Sequence, residues 1–148
     1  MTNIANLVQY EAEFPIRLKP PGSKTPINVT FWLRSMKSKP VQEIERKHQN
    51  AMAMAQFVAR QGDADVDAGT IAAAAANLEI EKLCACLTRW EWNGMEFGDL
   101  GVDPECTDAN KRAVLNHPNS VWIIEQIYEG AGRIANFTEA SLKKIATT

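Results

Sequence analysis

Cysteine and histidine are scarce in this chain, with three and two among 148 residues. Three cysteines are too few, and odd in number, for a disulfide framework; they fit a reducing cytosol. No apolar run approaches the ~18–20 residues needed to span a bilayer, so no membrane is expected as a partner. From Met1 to Leu7 there is no basic cluster followed by an apolar stretch, so no secretory leader is expected. A large excess of one charge is missing too: 16 Lys and Arg face 18 Asp and Glu. Such a balance gives no general attraction to nucleic acid. No internal repeat of about 20–50 residues is visible.

What is present is ordinary for a globular domain: 45% hydrophobic and 23% charged residues. The length fits one domain over 1–148, in the common size range of about 100–150 residues. Its pattern predicts an α+β protein, mainly α-helical. A strand-rich segment over 1–36 is followed by a helical body over 37–136, and 137–148 forms a C-terminal helix or tail. Charge is uneven: residues 11–40 carry a formal +4 and residues 61–108 a formal −9. That asymmetry suits either head-to-tail contacts and charged partners or a plain solvated surface.

Phe14–Leu18 and Ile27–Leu33 alternate apolar and other residues, with the aromatic and β-branched types that strands favour. The Pro- and Gly-rich stretch between them, 19–26, predicts an N-terminal β-hairpin with a long loop. Pro15 and Pro26 belong at edges or strand ends, because proline cannot donate to a ladder. From Ser38, a candidate cap, the period changes. Val41, Ile44, His48, Ala51, Ala55 and Val58 make one helical stripe that ends at Gln61-Gly62, with Gly62 suited to a left-handed C-terminal position. A second helix is expected from about Asp67 to about Thr88, with a stripe of Ala73, Ala76, Ile80, Leu83, Leu87 and Trp90. Trp90–Phe97 alternates around Asn93-Gly94, a turn signal. Thr107 caps a short helix to about Asn116, Pro118 opens a longer one over 119–134, and 137–145 is a last amphipathic helix. The helices together make a small bundle of four to five.

Chemical motifs are weak. Asp63, Asp65 and Asp67 have the opening spacing of a calcium loop, but Ala68 and Ala74 stand where that loop needs Gly and a bidentate Glu. Gly22-Ser-Lys24-Thr25 departs from a phosphate-binding loop in its glycines and in the strand that follows. Cys84 and Cys86 point about 200° apart on a helix, so they cannot chelate one ion together. A zinc site needs four well-placed ligands, and His48 and His117 are the only histidines. His48 falls within an apolar stripe, and His117 has no assignable partner. No catalytic residue, cofactor or metal is expected, and the chain does not read as an enzyme.

Four tryptophans remain. Large aromatics belong to cores by default. Trp90 and Trp92 lie on one side of a strand, and if that side is exposed they are binding anchors. Trp122, Phe137 and Leu142 complete the candidate partner-binding set. The last helix carries Phe137, Leu142 and Ile145 on one side and offers a docking surface to a neighbouring copy, hence a homo-oligomer.

The order of the segments carries a resemblance. Pro20-Pro-Gly22 lies in the hairpin loop, and Val29-Thr-Phe-Trp-Leu-Arg34 leads into a long charged helix. Then come Leu87-Thr-Arg-Trp-Glu-Trp-Asn-Gly94, a Thr-capped helix containing Asn110, Pro118-x-x-Val121, and Ala135-Asn-Phe-Thr-Glu-Ala-Ser-Leu-Lys-Lys144. This order resembles the tail assembly chaperones of long-tailed bacteriophages over most of the chain. The resemblance implies a small, mostly helical, non-enzymatic protein of the host bacterial cytoplasm. Such a protein binds the tape measure protein and keeps it soluble before the tail tube polymerises. It also implies recruitment of tail tube protein through a longer, frameshifted form. The alternative class is a structural virion component of the tail or head–tail connector.

Overall fold

The structure, a computed structural model, describes residues 3–62 and 68–146. It is an α+β protein, mainly helical, with three strands and five α-helices among the described residues. Strands β1 (Phe14–Arg17) and β2 (Thr30–Leu33) form the N-terminal antiparallel hairpin. Backbone bonds from Leu18 to Val29 (3.0 Å) and from Ile27 to Leu18 (2.8 Å) extend it toward the loop. A third strand, β3 (Leu87–Glu91), pairs antiparallel with the other side of β2, with an irregularity between Trp32 and Leu33.

Helices α1 (Lys39–Gln61) and α2 (Ala68–Cys86) lie between β2 and β3 in sequence. Helices α3 (Asp108–Leu115), α4 (Val121–Gly132) and α5 (Glu139–Ala146) follow β3. Thr107 caps α3 through its side chain, which accepts from Asn110 N. Ser38 stands at the N-cap of α1, but its hydroxyl is buried and makes no cap bond. Gly62 ends α1 with φ of −93°, so the left-handed cap expected there is not used.

Several element boundaries differ from expectation. Helix α2 stops at Cys86, and Leu87 and Trp90 belong to β3. Leu83, Leu87 and Trp90 face the same core, so a helical spacing continued smoothly across a change of structure. Asn93 and Gly94 do form a turn, with φ of 50° and 85°. The segment beyond it does not pair with β3; Glu96 bridges Val102 instead. Residues 118–120 and 134–137 are short 3₁₀ turns, so α4 is shorter than the expected 119–134 and the last helix starts at Glu139 rather than Phe137.

The sheet has two unlike faces. Phe31, Leu33, Leu87 and Trp90 point inward and meet Leu83 of α2 and Ile123, Ile127 and Ala131 of α4 in one core. On the outer face, Arg89 lies over the Trp32 ring at 3.8 Å and pairs with Glu13 at 3.1 Å. Residues 7–9 and 137–139 are tied together. Gln9 N donates to Phe137 O (2.7 Å), Glu139 N donates to Leu7 O (2.9 Å), and the Phe14 and Phe137 rings lie 6.1 Å apart. No helix among the described residues is long and apolar enough to cross a membrane.

Candidate interaction surfaces

The structure divides the expected partner-binding residues. Trp90, Trp92 and Phe137 are buried: Trp90 and Trp92 take the core place that large aromatics have by default, the exposed side that would make them anchors is not there, and Phe137 as a partner-binding residue is corrected to core. Trp90 and Trp92 turn inward because β3 presents that side to Phe31, with the two indoles 5.5 Å apart and edge-on. Trp90 Nε1 donates to Pro104 O at 2.8 Å, which pins the loop before α3 to the strand. Phe137 is buried because the paired segments 7–9 and 137–139 close over it. Trp122 and Leu142 are half-buried.

Trp92 and Trp122 nevertheless meet at one cleft, of about 340 Å³, lined also by Leu18, Ile27, Phe97 and His117. Trp92 Nε1 has no hydrogen-bond partner among the described residues. His117 accepts from Asn119 N through Nδ1 (3.0 Å) and sets its ring edge-on to Phe97 at 5.2 Å. That supplies the partner which the sequence leaves unassigned.

The thiols have no arrangement for nucleophilic work. Burial pushes the Cys86 thiol up to about 12, opposed by the lesser pull of Lys82 and Arg34. Burial also raises Cys84 and Cys106. A raised pKa keeps a thiol neutral and unreactive near neutrality. Among the described residues, no group of three or more His, Cys, Asp or Glu side chains could hold a metal ion. The calcium-like Asp63, Asp65 and Asp67 lie outside the described residues.

A run of exposed apolar residues lies on α1 and α2, along the continuation of the stripe 41–58 that the sequence marks as a surface for helix-in-groove contacts. The two helices pack antiparallel. Lys82 Nζ pairs with Glu45 at 3.1 Å, and His48 lies across from Ala74 and Leu78. At 1.5 Å per residue, α1 with its 23 residues is about 34 Å long. The body covers only its base, and Val41 is its one buried residue among those described. The apolar stripe that begins inside the core at Val41 therefore runs out into solvent, and Val58 at its far end is 59% exposed. Met54 and Phe57 beside it are 62% and 57% exposed, and Ile71 of α2 is exposed too.

Charge is sparse along the described part of this arm. Among the described residues from Gln49 to Leu78, Arg60 is the only charged side chain. Exposed helices usually carry charged or polar residues on their solvent side. A near-neutral surface of Ala, Met, Gln and Phe is the pattern of a face that meets another polypeptide. Methionine suits such a face, because its flexible thioether adapts to irregular partners.

No protein-family model, curated protein or solved structure matches this chain.

Proposed function

We propose that this protein is a tail assembly chaperone of a long-tailed bacteriophage. It binds the tape measure protein in the host cytoplasm and keeps it soluble until the tail tube polymerises around it. Tail tube protein joins through a longer, frameshifted form of the chain. Two things support the reading: the order of sequence segments resembles that family, and the fold bears a projecting two-helix arm whose exposed face is apolar and, among the described residues, sparse in charge.

The arm is the observation that carries the proposal. A partner that is a long amphipathic helix exposes an apolar stripe until it is assembled. Such a stripe is recognised by another apolar helical face through residues at three- and four-residue spacing. Met54, Phe57 and Val58 have that spacing. Binding the unassembled partner lowers its free concentration and so its aggregation, by mass action.

Co-expression tests the reading. The tape measure protein of the same phage is expected in the soluble fraction when made with this chain and in the pellet when made alone. This protein is expected to be absent from purified virions. Its retention in particles, with no gain in solubility of the tape measure protein, would instead make it a structural component of the tail or connector.

A further inference from the structure

A second cleft, of about 620 Å³, opens where the start of α1, the end of α2, the start of β3 and the first turns of α3 converge. Three cations line it: Arg34, just past β2, and Lys111 and Arg112 on α3. Among the described residues, none of the three makes an ion pair within 4.0 Å.

Arg34 is half-buried, and its Nε is shut off from water with no hydrogen-bond partner among the described residues. A guanidinium cannot escape that position by losing its proton. Lys111 is half-buried as well, and its Nζ donates to Cys84 O at 3.3 Å. That contact holds the ammonium at the cleft and leaves its other donors unused.

The acidic side chains on the same cleft are Glu13, Glu81 and Asp108. Glu13 is taken up by Arg89 at 3.1 Å. Glu81 and Asp108 remain, and among the described residues neither pairs within 4.0 Å with any of the three cations, so the cleft's own carboxylates do not take them up. Hydrogen bonds from such cations are strongest to an oxyanion, and an arginine offers one a planar fork of donors.

We propose that this cleft is an oxyanion-binding site built on Arg34, Lys111 and Arg112. Its ligand is a carboxylate- or phosphate-type group, from a small free anion or from an acidic side chain of a bound polypeptide. The site is separate from the apolar arm, and it does not depend on the proposed tail function.

Amide chemical shifts of the full-length protein test it. Inorganic phosphate is titrated at constant ionic strength, with chloride as the balancing ion, and a short poly-glutamate peptide is titrated in parallel. Saturable shifts are expected at residues 34, 84–85 and 111–112. Arg34→Gln is expected to weaken binding at least about tenfold. The double variant Lys111→Gln/Arg112→Gln, on the more exposed α3, gives the same readout if Arg34→Gln does not fold. Saturation by phosphate alone supports the site with a free anion as its source. Displacement of phosphate by the peptide supports it with a polypeptide carboxylate as the source. Shifts that chloride reproduces, that scatter over exposed lysines such as Lys24 and Lys37, or that persist in the variants overturn it.

Discussion

Gly130 lies where α4 crosses the sheet. A Cβ there would meet Leu33 Cδ1 at 2.8 Å and Ile16 Cγ2 at 3.0 Å. Alanine at a helical glycine gains about 1 kcal/mol of propensity. Overpacking a tight core costs about 1–3 kcal/mol, so here the clash wins. Gly132 has nothing within 4 Å of the same position. Urea unfolding is therefore expected to show Gly130→Ala destabilised and Gly132→Ala unchanged or slightly more stable. The sequence reads both glycines alike, as a weakened helix end. Only the approach of β1 and β2 to the helix separates them.

Cys86 is a second residue whose setting has a measurable consequence. Burial raises its pKa from 9.0 to about 12. Between those values the unfolded chain loses the proton and the folded chain keeps it, so stability falls as pH rises. Unfolding experiments at increasing pH are expected to show that decline, and Cys86→Ala is expected to flatten it. At pH 8 the native Cys86 is expected to resist alkylation that the unfolded chain undergoes readily.

At the scale of elements, the arm contrasts with the body. The base of α1 and α2 is held by Val41, Leu83 and the Lys82–Glu45 pair. The outer halves, from Ala51 to Gln61 and from Ala68 to Ala76, have few buried apolar contacts. Local opening is easiest where burial is least. Amide hydrogen exchange is expected to be fastest among the helices in those outer halves and slowest in β2 and α4.

These elements also show what the sequence does and does not disclose. Period alone locates α1 and α5, and period with the Thr107 cap locates α3, because these signals are local. The α2–β3 junction was hidden, since Leu83, Leu87 and Trp90 serve one core from two kinds of structure. The burial of Phe137 is hidden as well, and that of Trp90 and Trp92 follows only from the default for large aromatics. Alternation marks one side of a strand but not which side the rest of the chain covers. The stripe of α1 reads the same at Val41, which is buried, as at Val58, which is exposed. Periodicity says that a face is apolar, and tertiary packing decides what meets it.

At the scale of the whole molecule, residues 7–9, residues 137–139 and the sheet are joined in one body. The arm is the part left uncovered. Val8 bridges Thr138, and Phe137 fills the space against Phe14, so the last helix is secured to the N-terminal segment. A C-terminal helix tied down in this way closes the fold, and its expected role as a dock for a neighbouring copy rests only on the half-buried Leu142 and Ile145. The body then positions α1 and α2 to reach outward, with an apolar surface free for a partner.

The most direct measurement is size-exclusion chromatography with light scattering, on mixtures of the tape measure protein with either the native chain or the variant Met54→Ser/Phe57→Ser/Val58→Ser. These side chains are exposed, so the variant is expected to fold as the native chain does. A soluble complex with the native chain, lost or at least about tenfold weaker with the variant, is the expected result, because a few apolar anchors carry most of the energy of such contacts. Equal complex formation by both proteins, or none by the native chain, would contradict the assignment of the arm as the partner-binding surface.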